Sequence, residues 1–432
     1  MKRRQFFKNT IPIVLPALVN GFSLRAWADG PLLRSAAGKT IQGAGEDRVL
    51  VLIQLSGGND GLNTVIPLEY YPAYKNARSN IAIPEDKVLR LEGFDQTGLH
   101  PAMPELQRLF GEGKLAILQG VSYPQPNFSH FRATDIWLTG ADAGQVLPTG
   151  WAGRYLNECY PRFPQDYPNA AMPDPLAIQI GGLVSPVLQG PTLTMGMAIS
   201  NPNSFYDLLN DRSAAAPDTR AGDQLAYIRE MSVKTDQYAG VIKKAAQKVT
   251  KQSDKYPAAG KNPLADQLKI VARLVAGGLK TRFYLVSMGG FDTHARQVET
   301  ADTTTGAHAR LLARLSEAID AFQDDLQFLN VDNKVVGMTF SEFGRRIQSN
   351  ASGGTDHGTA APVFVFGSNV QGGIVGSNPV LPDKPTVNDN ITMQQDFRTV
   401  YNSLLEKWFL AGSSEAGTVL LKDYPVLPLI HA

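Results

Sequence analysis

Apolar residues along this chain fall into short, unbroken runs rather than simple alternation. Val49 to Leu55 (VLVLIQL) is the clearest, and comparable runs recur at Leu115–Val121, Leu176–Ile180, Phe283–Val286, Val335–Phe340 and Val363–Phe366. A continuous β-branched run of this length predicts a strand buried on both faces. Between several of the runs lie segments with helical spacing, Met103–Phe110, Ala307–Leu329 and Phe397–Leu410. Strands alternating with helices predict an α/β protein with a mostly parallel central sheet flanked by helices. In such a sheet, ligands collect outside the carboxyl ends of the strands.

Residues 203–280 depart from this rhythm, with a polar, helix-prone stretch carrying seven lysines and two aspartates between Lys234 and Lys261. It reads as a helical insertion beside the sheet with a solvated charged face, and alternatively as a basic patch for an acidic partner. The chain has 432 residues, 43% hydrophobic and 19% charged, which is ordinary globular content. With 41 basic against 40 acidic residues, net charge gives no reason to expect nucleic acid. One cysteine, Cys159, excludes an intrachain disulfide and a thiolate metal cluster.

The first residues, MKRRQFFK, place Arg3 and Arg4 before Phe6 and Phe7; a short apolar stretch follows to Phe22, and then Ala26-Trp27-Ala28. A charged start, a short apolar region and a small-x-small site predict a signal peptide over residues 1–28, of the twin-arginine type. The apolar stretch falls well short of the roughly 20 residues a membrane span requires. The expectation is therefore export by the twin-arginine machinery to the periplasm or cell exterior, with no transmembrane anchor. A loose leader over 29–47 and one domain over 48–432 would follow.

Five motifs sit where the sheet's ligand end should be: Gly57-Gly58-Asn59-Asp60-Gly61, Asn127-Phe128-Ser129-His130-Phe131, Gly289-Gly290-Phe291-Asp292-Thr293-His294, Ser341-Glu342-Phe343-Gly344-Arg345 and Gly354-Thr355-Asp356-His357-Gly358. Each has a plainer role. Asp60 and Asp356 suit turns, Ser129 and Asp292 suit helix caps, and Glu342 suits a helical pair with Arg345 or Arg346. Together they offer four carboxylates, Asp60, Asp292, Glu342 and Asp356, and the imidazoles of His130, His294, His308 and His357. So many acids in one place would resist ionising without a cation. Oxygen and nitrogen donors suit zinc, manganese, magnesium or calcium.

The export signal, LIQLSGGNDGLNTVIP, SHF with WLTG, GGFDTH, FSEFGRR and GTDHGTAAPVFVFG together resemble the exported bacterial family called domain of unknown function 1501, from about Arg48 to Leu410. That family is distantly similar to the alkaline phosphatase and sulfatase superfamily. The resemblance implies an alkaline phosphatase-like fold and two divalent metals at the strand ends. It also implies hydrolysis of a phosphate or sulfate ester by a nucleophile at a helix start. On it, Asp60 takes the place of the first-strand ligand, and Asp292 and His294 resemble the ligands after a later strand. His357 resembles the late histidine ligand, and Glu342 falls where relatives carry an Asp-His pair, with Asp356 available for the missing donor. Ser129 stands at the nucleophile helix, although counting back from Trp137-Leu138-Thr139-Gly140 puts His130 on that position. Arg345 is expected to hold the substrate's anionic group or to bridge to a nearby acid. The substrate class expected is a small anionic ester or an anionic polymer. The competing expectation is an exported binding or scaffold protein that keeps the fold without catalysis.

Overall fold

The structure, a computed structural model, describes residues 47–200 and 237–431, with a short antiparallel pair Ala17–Val19 and Phe22–Leu24. The twin-arginine motif and the first part of the 203–280 segment lie outside the described residues.

In chain order the strands are β1 (Val49–Ser56), β2 (Val65–Pro67), β3 (Leu89–Leu91), β4 (Phe94–Leu99), β5 (Leu115–Ser122), β6 (Ala177–Ile180), β7 (Met197–Ile199), β8 (Phe283–Gly289), β9 (Val335–Phe340), β10 (Arg345–Ser349), β11 (Thr355–His357), β12 (Ala361–Phe366), β13 (Gly373–Val375) and β14 (Gln395–Asp396). Besides a single helical turn, Gly61–Thr64, the α-helices of the described residues are α1 (Tyr71–Ala77), α2 (Pro104–Gly111), α3 (His130–Thr139), α4 (Trp151–Cys159), α5 (237–248), α6 (Pro263–Ala276), α7 (Ala307–Phe328), α8 (Phe397–Ser403) and α9 (Ser413–Leu420).

Nine strands form one sheet in the order β13-β5-β12-β9-β1-β8-β6-β7, with β14 also on β5. Every pairing is parallel except those of β12, which runs antiparallel to both β9 and β5. The molecule is thus an α/β protein with a mostly parallel central sheet. The apolar runs account for its centre: β1 and β5 are buried along almost their whole length, as strands covered on both sides must be. Helices α2, α6 and α7 pack together, as do α4, α8 and α9. From residue 237 onward the lysine-rich segment joins the main core, because Ile242 and the Leu264, Leu268 and Val271 stripe of α6 are buried there.

The helix expected over 397–410 is α-helical only to Ser403 and then widens into a π turn, Leu404–Trp408. That turn carries Trp408 inward, where its Nε1 donates to Val49 O at 3.0 Å. An aromatic stack fixes the inner side of α3: Trp137 lies 4.4 Å from Phe397 and 5.7 Å from Phe340 between ring centroids. Tyr401 Oη donates to Trp137 O at 3.0 Å, and Gly140 ends the helix at φ +71°. Such aromatic pairs add about 1 kcal/mol each beyond area burial. They set the position of the helix whose first residue is His130.

A smaller sheet, β3-β4-β2, and α1 enclose a second apolar cluster that includes Ile66, Tyr74, Ile83 and Ile347. Among the described residues, no helix is long and apolar enough to cross a membrane.

Candidate metal centre

Sheet direction gathers the motifs. Strands β1, β5, β8 and β9 end on the same side, and they deliver Gly57–Asp60, His130, Asp292–His294 and Glu342 there. Because β12 runs the other way, its amino-terminal end lies on that side too, with His357 just before it.

Close backbone approach holds the loops together. Gly57, at φ +124°, lies so near the loop after β8 that a Cβ would fall 2.3 Å from Asp292 N. Gly58, at φ +76°, would collide with the Phe343 ring. Only glycine accepts both the backbone angle and the contact. Gly57 N–H donates to Glu342 Oε1 at 2.8 Å, and Asn59 N–H to Ser341 Oγ at 2.9 Å.

Three imidazoles face one carboxylate, each anchored from behind. His130 Nδ1 is 2.7 Å from Glu342 Oε1, His357 Nδ1 is 2.8 Å from Phe128 O, and His294 Nδ1 is 3.1 Å from Asp356 Oδ1. A carbonyl or carboxylate oxygen only accepts, so each Nδ1 carries the proton. Each Nε2 then faces Asp292. His130 Nε2 lies 3.4 Å from Oδ2, while His294 Nε2 and His357 Nε2 lie 3.2 and 3.3 Å from Oδ1. The Nε2 atoms of His294 and His357 are only 2.9 Å apart. His130 Nε2 is buried and has no hydrogen-bond partner. Among the described residues, His130, Asp292 and His357 have ligand atoms close enough together to hold a cation.

Acceptors turned on acceptors repel unless a proton or a cation lies between them. Three imidazoles and a carboxylate suit four-coordinate zinc, and carbonyl or carboxylate partners behind the imidazoles are what metal-ligating histidines ordinarily have. The donor set therefore fits a divalent cation.

Electrostatics agree. Burial alone would raise the Asp292 pKa, but the hydrogen bond and charge of Arg345, with His357 and His294, bring it down to about 2. Asp292 thus stays anionic. The His357 pKa is lowered, by burial first and then by the Arg345 charge, against the opposing Phe128 carbonyl. It keeps a bare Nε2 at neutral pH.

Several sequence expectations change. Asp60, expected as a ligand, is held instead by Arg78 and Gln297 and does not join the cluster. Glu342 approaches His130 from behind as its orienting partner. Asp356 stands in the same relation to His294, at 61% side-chain exposure. Arg345, expected to hold a substrate anion or to form a helical pair, opens strand β10. Its side chain is 0% exposed and donates to the carbonyls of Gly57, Gly58, Phe291 and Thr355 as well as to Asp292 Oδ1. No edge of it faces solvent. Ser129 is the N-cap of α3, yet its side chain makes no capping hydrogen bond, and the residue is exposed beside His130. His308 lies buried against Asn59, away from the imidazole cluster.

Arg78, Gln297 and the Phe128 carbonyl carried no sequence signal. Gln297 bonds Asp60 through Nε2, while its Oε1 accepts from Thr293 and Thr355. It thereby ties the segments carrying His294 and His357 to the end of β1. Phe343 lies 4.5 and 4.9 Å from the His357 and His130 rings.

The chain belongs to the family described as Protein of unknown function (DUF1501), which it matches over residues 47–405. No curated protein matches it at a significant level. Similar solved structures include the C-terminal periplasmic domain of EcEptC from Escherichia coli in complex with Zn, at 10% identity and TM-score 0.32, covering 74% of this chain and 73% of that one. The alkaline phosphatase of the Antarctic bacterium TAB5 is also similar, at 10% identity and TM-score 0.27, covering 75% of this chain and 92% of that one. A third is the phosphonate monoester hydrolase SpPMH from Silicibacter pomeroyi, at 10% identity and TM-score 0.32, covering 76% and 70%.

Proposed function

We propose that the protein is an exported, divalent-metal-dependent hydrolase of phosphate or sulfate esters, with His130, Asp292, His294 and His357 as the cation's ligands. The supporting observation is the convergence of three Nε2 atoms on the ionised Asp292, each ring anchored at Nδ1. A divalent ion there supplies Lewis acidity toward a phosphoryl or sulfuryl oxygen. Glu342 and Asp356 hold the His130 and His294 rings in the binding tautomer, and Arg345 keeps Asp292 anionic. Ser129, exposed at the start of a ten-residue helix, offers a hydroxyl where unpaired backbone N–H groups favour an anion. It is the nucleophile in this proposal.

Purified protein reconstituted with zinc should retain the ion through desalting and hydrolyse an aryl phosphate or an aryl sulfate. His357→Ala should weaken zinc binding by at least ~10-fold and remove turnover. Ser129→Ala should remove turnover while zinc content is unchanged. Protein that takes up no divalent ion from zinc, manganese, magnesium or calcium would overturn the metal centre. A metal-loaded enzyme that turns over neither ester would favour the second reading, a binding or scaffold protein that keeps the fold without catalysis. One observation favours that reading: Arg345, the buried cation at the cluster, has no edge left for an anionic substrate.

Export completes the proposal, with a twin-arginine signal peptide through Ala28, a leader over 29–47 and one domain from residue 48. Changing Arg3 and Arg4 to lysine should leave full-length precursor in the cytoplasm on immunoblots of cell fractions. Normal delivery of mature protein would exclude the twin-arginine route.

A further inference from the structure

We infer that the centre takes one divalent cation per chain, because a buried guanidinium, that of Arg78, occupies both oxygens of Asp60, the further strand-end carboxylate that the superfamily resemblance offers as a ligand. The inference rests on the cation-binding reading of the imidazole cluster and fixes its stoichiometry.

Asp60 follows β1 and is 1% exposed, and Arg78 is 0% exposed. Arg78 Nη1 lies 2.9 Å from Oδ1 and 2.8 Å from Oδ2 of Asp60, and Gln297 Nε2 lies 2.6 Å from Oδ2. Both carboxylate oxygens are therefore engaged by donors. Arg78 cannot swing aside, because Nε donates to Ile347 O at 3.0 Å, Nη2 to Arg346 O at 2.8 Å and Nη1 to Asn63 Oδ1 at 2.9 Å. A guanidinium does not lose its proton in a protein, so this positive charge is permanent.

Most of the other donors around Asp60 are committed as well. His308 is the imidazole in this polar pocket, and its Nε2 lies 2.9 Å from Asn59 Oδ1, which also accepts from Thr64 Oγ1. The remaining His308 nitrogen, Nδ1, is buried and unpartnered. Burial reduces its affinity for a proton, the Asp60 charge opposes this, and the Arg78 and Arg345 charges add to the reduction. The same two charges act more strongly on a dication at the same depth. Arg78 also ties Asp60 to β10, whose Arg345 pairs with His357, so it provides the linkage between strand ends that a second ion would otherwise give.

The test is zinc content per chain, measured on the mature protein after chelation, reconstitution with excess zinc and desalting. One zinc per chain is expected. Two would overturn the inference, whereas none after reconstitution would overturn the metal centre itself. Asp60→Asn should still bind one zinc with affinity within ~3-fold of wild type, while Asp292→Asn should lose at least ~10-fold. Should Asp60→Asn fail to fold, the double variant Asp60→Asn/Arg78→Met replaces the buried ion pair with neutral groups, a change that buried pairs often tolerate. Full zinc content in that folded double variant supports the inference. Loss of zinc from it, with its circular dichroism unchanged, would show that Asp60 is a ligand.

Discussion

Arg345→Met is expected to lower stability by about 3–5 kcal/mol, because it removes a buried charge on which four carbonyls and one carboxylate depend. The carbonyls of Gly57 and Gly58 belong to the turn after β1, that of Phe291 to the loop after β8, and that of Thr355 to β11. With Arg345 gone, these buried acceptors lose their donor and Asp292 loses the cation that keeps it ionised. Zinc affinity should fall in the same variant, since the loops carrying Asp292 and His357 are joined through this side chain. Arg345→Lys should rescue little, because an ammonium cannot reach five acceptors spread around a planar fork. Urea unfolding of metal-free protein, with a zinc titration of the folded variant, checks both outcomes. A loss under ~1 kcal/mol with wild-type zinc affinity would show that the hub is dispensable.

Acid should unfold the metal-free protein well before its carboxylates titrate. His308 is 1% exposed and burial, against the attraction of Asp60, brings its pKa from 6.5 to about 4. His100, also buried and 6.2 Å from the His308 ring, falls to about 3 through burial and the neighbouring His308 charge. Its Nδ1 accepts the Ala102 N–H at 3.0 Å, which requires that nitrogen to be unprotonated. Both groups bind protons more weakly folded than unfolded. Their contribution is fully present above pH 6.5, declines as the pH falls, and is exhausted near the folded values. For His308 alone the decline amounts to about 3 kcal/mol between pH 6.5 and 4. The two histidines titrate as a coupled pair, so their losses do not simply add. Unfolding midpoints from pH 7.5 to 4.5 should trace this slope, and His308→Gln, which keeps a donor for Asn59 Oδ1, should flatten it. A wild-type midpoint constant down to pH 4.5 would contradict the burial of neutral His308.

Local sequence determined the framework. Unbroken apolar runs can be satisfied only between two covering layers, so six of the nine strands of the central sheet were legible one by one, the short β7, β13 and β14 were not, and the turn-rich motifs marked the ligand end. Helix α3 was equally legible, with Ser129 before it and Gly140 after it. Family membership followed from motifs that run through the chain. The division of labour among the motif residues was not legible. Glu342 meets His130 across 212 positions, and Asp60 meets Gln297 across 237. No period or local propensity encodes such pairings. Arg345 has the spacing of a helical partner for Glu342, yet the chain there is extended and pairs with His357, which sends the guanidinium inward. Arg78 lies in an unremarkable stretch, and only the packing of α1 against β10 brings its charge onto Asp60. Residue types and chain direction thus put acids and imidazoles at one end of the sheet. Tertiary packing decided which of them converge on Asp292, which orient the others and which are already neutralised, because those roles depend on where polar atoms and buried charges meet.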